Sequence, residues 1–161
     1  MDGGTKILTR DSLPAWREAH QKAGRRVAVT NGCFDLLHAG HVTYLAAARA
    51  EADVLLVGLN GDASVRALKG EGRPLNPAAD RATVLAALAA VDGVCVFEEI
   101  RATEFLKLAQ PNVYVKGGDY TLEELDPEER AAVEAAGGVI RLLALVPGRS
   151  TSALVGKITN D

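Results

Sequence analysis

The sequence predicts an α/β protein built around a parallel β-sheet, and two observations support that prediction. Short β-branched stretches alternate with alanine-rich stretches along the whole chain. Glycine or proline marks the ends of several of these stretches, as at Gly24, Pro111 and Gly137. Strands separated by helices form right-handed βαβ units, which place helices on both faces of a parallel sheet.

Five strands are predicted where short apolar, β-branched runs lack a helical period. In chain order they cover residues 26–30, 54–59, 93–97, 113–116 and 139–145. Because helical segments separate these runs, we expect a Rossmann-like sheet whose five strands lie in the order 3-2-1-4-5. In such sheets, ligands bind beyond the carboxyl ends of the strands, where the strand order reverses.

Seven helices are predicted from the start and stop signals around the remaining segments. In chain order they cover residues 12–23, 40–52, 63–68, 80–90, 103–109, 127–136 and 150–158. The first has Ser12 as a suitable N-cap and Pro14 in its first turn, and Gly24 ends it. Residues 69–77 hold two glycines and two prolines and are predicted as a loop.

The length of 161 residues indicates one domain, over residues 25–161, with residues 1–24 as a helical appendage. With 48% hydrophobic and 24% charged residues, general disorder is excluded. The net charge of -3 argues against a nucleic-acid partner bound through counterion release. No apolar run is long enough for a membrane helix, and the N-terminus lacks the apolar core of a secretory signal. We therefore expect a cytoplasmic protein that has no membrane partner.

The segment after the first predicted strand, residues 31–41, reads NGCFDLLHAGH. His38 and His41 are three residues apart, so both imidazoles lie on the same side of a first helical turn. Free amides and the helix dipole attract anions there, and Gly40 lets a phosphate approach the backbone. The pattern predicts a phosphate site with two imidazole donors, and surface or capping histidines are the alternative. A structural zinc site needs four ligands, and Cys33 with the two histidines supplies three, so Cys33 is interpreted as a small buried residue.

Further polar residues follow the later strands. Lys116 ends the fourth predicted strand, and Gly117 and Gly118 permit a tight turn beside a ligand, although Lys116 alone also fits a solvated strand end. With strands one and four adjacent, Lys116 and Asp119 are expected to converge with the two histidines.

The last predicted helix begins with Ser150, Thr151 and Ser152, directly after Arg149. Its hydroxyls, free amides and neighbouring guanidinium suit a phosphate, and an ordinary N-cap is the alternative.

Other charged residues carry weaker signals. Lys69 and Arg73 lie on the glycine- and proline-rich loop, where they suit a segment that folds over substrate, although solvated charges are the alternative. Arg81 and the acidic stretch 123–129 are interpreted as solvated helix faces.

Residues 31–41 resemble the signature of the cytidylyltransferase-like nucleotidyltransferases, in which a His-x-Gly-His motif holds a nucleotide triphosphate. Three later stretches are similar to the heptose 1-phosphate adenylyltransferase branch, which forms one half of bacterial heptose kinase/adenylyltransferases. They are residues 68–76, 115–120 and 147–152. The resemblance implies transfer of AMP from ATP to D-glycero-β-D-manno-heptose 1-phosphate, giving ADP-heptose for lipopolysaccharide or surface glycans, with Mg²⁺ as cofactor.

The resemblance also implies roles for individual residues. The catalytic residues would be His38, His41 and Lys116. The nucleotide would contact Asn31, Gly32, Phe34, Gly40, His41, Arg149, Ser150, Thr151 and Ser152. The sugar phosphate would contact Cys33, Asp35, Lys69, Arg73, Gly117, Gly118 and Asp119. Either Asp35 or Asp119 would meet Mg²⁺ or the sugar hydroxyls.

Two alternative functions fit the sequence, and two kinds of partner are expected. One alternative is a cytidylyltransferase acting on glycerol 3-phosphate or a similar alditol phosphate. The other is a non-catalytic nucleotide-binding module, although no Gly-x-Gly-x-x-Gly fingerprint follows the first strand. In the bifunctional proteins a kinase domain precedes this part, so we expect a separate sugar kinase upstream to supply the sugar 1-phosphate. We also expect a homo-oligomer, namely a dimer.

Overall fold

The computed structural model describes residues 6–118, 121–144, 147–148 and 150–160. Its strands are β1 (Ile7–Leu8), β2 (Val27–Gly32), β3 (Val54–Asn60), β4 (Gly93–Phe97), β5 (Val113–Gly117) and β6 (Val139–Leu143). They form one sheet in the order β1-β4-β3-β2-β5-β6, and every neighbouring pair is parallel. The predicted α/β, Rossmann-like class is confirmed.

The predicted number of five strands is wrong, because the sheet has a sixth strand at one edge and its full order is β1-β4-β3-β2-β5-β6. Ile7 and Leu8 of β1 pair with Val94 and Cys95 of β4. A strand of two residues has no period that a sequence pattern can reveal, and only its pairing partner defines it. Beyond β1, the strands follow one another as β4-β3-β2-β5-β6.

The described residues include seven α-helices and one short 3₁₀ turn, Leu122–Glu124. The helices are α1 (Leu13–Lys22), α2 (Ala39–Ala50), α3 (Asp62–Lys69), α4 (Ala78–Ala86), α5 (Thr103–Ala109), α6 (Pro127–Ala135) and α7 (Thr151–Thr159). Each overlaps a predicted helix, although α4 ends four residues before the predicted end. Within this part of the chain, no helix is long and apolar enough to cross a bilayer.

The apolar core lies on both faces of the sheet. On β3, Val54 and Leu56 belong to one buried cluster, and Leu55 and Val57 belong to the other. Helices α1, α5 and α6 cover the first face, and α2 and α4 cover the second. A strand that is buried on both sides needs apolar residues at every position, which explains its continuous apolar run.

Helix α1 shares this core. Leu13 is fully buried in the first cluster. Arg17 donates hydrogen bonds to the Gln110 carbonyl at 2.9 Å and to Asn112 Oδ1 at 3.2 Å. The same Asn112 oxygen accepts from the backbone amide of Val27 at 2.7 Å, so α1 is linked to the start of β2. The boundary between an appendage and a main domain at residue 24 stays a prediction.

Replacing Leu13 tests how far α1 stabilises the sheet. Because its side chain is fully buried, Leu13→Ala is expected to lower the free energy of unfolding by about 2–5 kcal/mol in urea titrations. Ile158→Ala is the control, since Ile158 is 69% exposed and its loss is expected to cost less than ~0.5 kcal/mol. Equal effects of the two substitutions would contradict a shared core.

Candidate active site

A cleft of about 780 Å³ opens at the carboxyl edge of the sheet, beside the ends of β2, β3 and β5. β2 lies between β3 and β5, so the strand order reverses there, as it does at ligand sites of open α/β sheets. Most of the predicted site residues line this cleft. They are Asn31, Gly32, Cys33, Phe34, Asp35, His38, Gly40, His41, Lys69, Arg73, Lys116, Gly117, Ser150, Thr151 and Ser152.

Three other predicted site residues do not belong to the described wall of the cleft. Gly118 follows β5 with a φ of 127°, a conformation that favours glycine, and its amide donates to the Leu143 carbonyl at 3.1 Å. Gly118 therefore extends the parallel pairing of β5 and β6 by one hydrogen bond beyond the end of β5. Asp119 and Arg149 lie outside the described residues, so their roles stay predictions.

His38 and His41 form a stacked pair at the start of α2. Their ring centroids are 3.9 Å apart, and the rings are inclined by 26°. His38 is the N-cap of α2, where its Nδ1 accepts from the Gly40 amide at 3.1 Å. An accepting Nδ1 leaves the proton of a neutral ring on Nε2, so His38 is a donor at its outer nitrogen.

One nitrogen of each ring is buried without a hydrogen-bond partner among the described residues. His38 Nε2 and His41 Nδ1 are buried, and neither has a hydrogen-bond partner in the part of the chain that the structure describes. Because buried polar atoms are rarely left unpaired, two such atoms at the start of a helix indicate a ligand site. The positive end of the α2 dipole favours an anionic ligand at this position.

His41 is neutral at physiological pH. Burial lowers its pKa to about 4, and the neighbouring His38 contributes to the shift. A neutral ring donates one hydrogen bond without the cost of burying a charge. A polyanion beside the ring favours the protonated form, so binding is expected to raise this pKa.

Gly32 and Phe34 shape the loop that precedes the histidines. Phe34 has a φ of 46°, which is rare for an aromatic residue, and its ring lies 5.3 Å from that of His41. A Cβ atom at Gly32 would come within 2.9 Å of the Phe34 ring. Gly32 therefore leaves space for Phe34, which in turn packs against the imidazole of His41.

Asp35 holds the neighbouring loop in place. Its buried carboxylate accepts from the amides of Leu75 and Asn76 at 2.8–3.0 Å and from Arg73 Nε at 2.8 Å. Burial alone would raise the pKa of Asp35, but these hydrogen bonds outweigh it and lower the pKa. Both oxygens are occupied, so the predicted contact of Asp35 with sugar hydroxyls or Mg²⁺ does not fit this geometry.

The interpretation of Arg81 as a solvated residue is wrong. Arg81 is 2% exposed and donates to the carbonyls of Cys33 at 2.8 Å, Asn60 at 2.7 Å and Asn76 at 2.9 Å. Its remaining nitrogen binds Asp62 Oδ1 at 2.7 Å. These carbonyls follow β2, end β3 and lie in the loop before α4, so one guanidinium joins three segments of the cleft.

Several residues that line the cleft were missed by the sequence analysis. They are Tyr44, Asn60, Leu68, Ile100, Arg101, Asp126 and Glu129. The interpretation of the acidic stretch 123–129 as a solvated helix face is wrong at Glu129, which is buried because it accepts from the amide at the start of α5. Tyr44 lies one turn after His41 on α2, and this spacing was an available signal. Its hydroxyl donates to the Val115 carbonyl at 3.1 Å and lies 2.7 Å from Thr30 Oγ1, which joins α2 to β2 and β5.

The start of α7 contributes a second helix N-terminus. Ser150 Oγ accepts from the Ala153 amide at 3.0 Å, so Ser150 is a conventional N-cap. Thr151 Oγ1 donates to the Leu36 carbonyl at 3.1 Å, which attaches α7 to the loop before the histidines. The positive ends of α2 and α7 therefore border the same cleft.

The cations of the cleft differ in their pairing. Arg73 forms an ion pair with the buried Asp35. Among the described residues, no ion pair involves Lys69 or Lys116, and Lys116 Nζ lies 5.6 Å from the centre of the Tyr114 ring. These two lysines are thus the cations available for a second anionic group.

The described part of the chain has no cage of three or more protein ligands for magnesium, an ion that proteins commonly hold with one or two carboxylates and phosphate oxygens. It contains no group of three or more His, Cys, Asp or Glu side chains that could hold a metal ion. Asp35, one of the two predicted ligands, is saturated by donors from the protein, and Asp119 lies outside the described residues.

An open parallel sheet, a cleft where its strand order reverses and imidazoles at a helix start define a phosphate-binding α/β protein. The family described as "Cytidylyltransferase-like" matches residues 29–151. The chain belongs to this family.

Relatives with closely similar sequences carry the name "Bifunctional protein HldE". The one from Pelobacter propionicus is 47% identical over 157 residues, which are 98% of this chain and 32% of that protein. Those from Geotalea uraniireducens and Bradyrhizobium sp. are 49% and 50% identical over 157 residues, again 32% of each protein. These matches cover 98% and 97% of this chain. The chain thus spans about one third of the length of these curated relatives.

Two solved structures share the fold. A lipopolysaccharide core biosynthesis protein from Thermoplasma volcanium has a TM-score of 0.61 at 22% identity, covering 76% of this chain and 98% of that one. A pantoate-beta-alanine ligase from Francisella tularensis has a TM-score of 0.54 at 14% identity, covering 91% and 69%. At these identities the likeness concerns the fold alone.

The protonation of His41 is accessible to NMR because the chain has only three histidines. In a pH titration the His41 ring is expected to titrate at about pH 4. Inorganic triphosphate is expected to raise this pKa, since a nearby anion favours the charged ring. His20, whose ring meets that of Trp16 edge to face, is the internal control and is expected not to respond. A His41 ring that titrates near an unperturbed value of about 6.5 would contradict its burial.

Replacing the guanidinium of Arg81 by an ammonium group tests how far its three hydrogen bonds to carbonyls stabilise the protein. Arg81→Lys is expected to lower the free energy of unfolding by about 2 kcal/mol, because one ammonium cannot reproduce the planar fork. Denaturant unfolding measures this loss. Arg66→Lys is the matched control, because Arg66 is exposed on α3 and its replacement is expected to have no measurable effect. A wild-type stability for Arg81→Lys would show that the carbonyls do not depend on the guanidinium.

Proposed function

We propose that this chain transfers AMP from ATP to D-glycero-β-D-manno-heptose 1-phosphate, giving ADP-heptose and pyrophosphate. The observation that carries the proposal is the stacked pair of His38 and His41, whose buried outer nitrogens lack partners in the described chain. Identities of 47–50% to the bifunctional proteins support it. The resemblance of residues 68–76 and 115–120 to the heptose branch supports the choice of acceptor.

The reaction needs no strong general base. A phosphate oxygen of the acceptor attacks the α-phosphorus of ATP, and the bond to the oxygen that bridges the α- and β-phosphorus atoms breaks. Pyrophosphate leaves with the electron pair of that bond. Because the nucleophile is already an anion, catalysis consists of positioning and of stabilising the charge that develops in the transition state.

Different groups around the cleft bind the triphosphate and the phosphate of the acceptor. His38 and His41 donate hydrogen bonds to the triphosphate, and the starts of α2 and α7 add free amides and positive dipole ends. Arg149 would contribute a guanidinium to the triphosphate. Lys116 and Lys69 would meet the phosphate of the acceptor, with Arg73 held nearby by Asp35.

Magnesium and the partners belong to the same proposal. We propose Mg²⁺ as the counterion that enters with ATP, since the described residues include no group of three or more protein ligands for it. The acceptor already carries a phosphate, so a sugar kinase reaction must precede this step. Cytoplasmic location and a homodimer remain part of the proposal.

A matrix of nucleotides and sugar phosphates tests the substrate pair. With Mg²⁺ present, ATP and heptose 1-phosphate are expected to give pyrophosphate and ADP-heptose faster than any other combination. A site that hydrogen-bonds several sugar hydroxyls discriminates against an acceptor without them by a factor of up to ~10⁴. Faster turnover of CTP with glycerol 3-phosphate would replace this proposal with the cytidylyltransferase alternative.

The same assay measures the contribution of the imidazole pair. His41→Ala is expected to lower kcat about 10²-fold, because one preorganised donor to the transition state is worth ~3 kcal/mol. His20→Ala is expected to react at the wild-type rate, since His20 lies on α1 and does not line the cleft.

A further inference from the structure

One side of the cleft differs in chemistry from the phosphate site. It is formed by Ile100 and Arg101, in the loop after β4, and by Asp126 and Glu129, at the start of α6. We call these four residues the β4–α6 wall. It offers two carboxylates and one guanidinium, whereas the opposite side offers imidazoles, lysines and helix N-termini.

Asp126 fixes the position of the guanidinium in this wall. Its Oδ1 accepts from the amides of Glu128 and Glu129 at 3.0 Å each and thereby caps α6. Its Oδ2 forms an ion pair with Arg101, whose side chain remains 64% exposed. One carboxylate thus anchors a cation at the cleft while most of that cation stays accessible to a ligand.

Glu129 is a buried carboxylate in the same wall. It is 8% exposed, and its Oε1 accepts from the Ala102 amide at 2.9 Å. Ala102 is the N-cap of α5, so this contact ties α5 to α6 next to the cleft. After burial, the negative charge of Glu129 is the largest cause of the raised pKa of Tyr114.

The acceptor has hydroxyl groups as well as a phosphate, and these need hydrogen-bond acceptors. The carboxylates that line the described cleft belong to Asp35, Asp126 and Glu129. Asp35 is fully occupied by the loop that it holds, and both oxygens of Asp126 are occupied by the amides of α6 and by Arg101, which leaves Glu129 as the carboxylate that faces a ligand. Carboxylates accept from sugar hydroxyls, and a guanidinium donates to them, so the β4–α6 wall has both kinds of partner.

We infer that Arg101 and Glu129 recognise the hydroxyl groups of the sugar phosphate, with Asp126 positioning Arg101, and thereby determine acceptor specificity. This inference rests on the proposed function and adds the surface that distinguishes a polyhydroxylated acceptor from a smaller alditol phosphate. The phosphate of the acceptor remains with Lys69 and Lys116, on the other side of the cleft.

Steady-state kinetics of Arg101→Met and Glu129→Gln test the wall. Both variants keep the volume of the side chain, and a glutamine oxygen can still accept from Ala102. Each is expected to raise the KM for heptose 1-phosphate about tenfold and to leave the KM for ATP unchanged, since the sugar loses a charged partner and the triphosphate does not. Arg101→Lys is expected to recover part of the loss. The control is Arg130→Met, because Arg130 lies on α6 but does not line the cleft.

The outcomes separate the inference from the proposed function. Wild-type KM for the acceptor in both variants, or an equal rise in the KM for ATP, overturns the wall as a specificity surface. A fall in kcat and thermal stability at unchanged acceptor KM assigns the wall a structural role and also overturns the inference. A wild-type chain that forms no nucleotide sugar with any acceptor overturns the proposed function first, and the inference with it.

Discussion

The guanidinium of Arg81 is the contact on which the arrangement of the cleft depends. It binds carbonyls after β2, at the end of β3 and in the loop before α4. The hydrogen bond to the Asn60 carbonyl is fully buried, and a buried carbonyl without a hydrogen bond costs about 1–3 kcal/mol. One side chain therefore satisfies three chain segments and sets their spacing. Asp35 also holds this loop, because its carboxylate accepts hydrogen bonds from the amides of Leu75 and Asn76.

Two parts of the cleft differ in charge and therefore suit different chemical groups. The stacked imidazoles, two helix N-termini and two lysines provide donors and positive potential, which suit phosphates. The β4–α6 wall provides the carboxylate of Glu129 and one anchored arginine, which suit hydroxyl groups. A nucleotidyl transfer between two phosphorylated molecules needs the first property for the reaction and the second for the choice of acceptor. Both arise from loops at one edge of the sheet.

The predicted part of the site consists mainly of residues within a short stretch of chain. His38, Gly40 and His41 are neighbours on one helical turn, so their relative positions follow from helix geometry alone. Apart from Tyr44 and Leu68, the residues that were missed come from elements far apart in sequence. Arg101 and Asp126 are 25 residues apart, and only the parallel order of β4, β3, β2 and β5 brings their loops together. Asp35 was predicted to contact the ligand, because no local pattern shows that its hydrogen-bond donors lie around residue 75.

The sequence by itself determined the α/β class, the seven helices and the histidine pair at the start of α2, because alternation of segments, capping residues and the spacing of two histidines are local properties. The tertiary structure decided the sixth strand, the burial of Arg81 and the composition of the β4–α6 wall. Each of these depends on partners that are distant in the chain: β1 on its pairing with β4, Arg81 on three converging carbonyls, and Glu129 on the start of α5. Hydrogen bonds between distant segments exist only after the sheet has formed, so no local pattern encodes them.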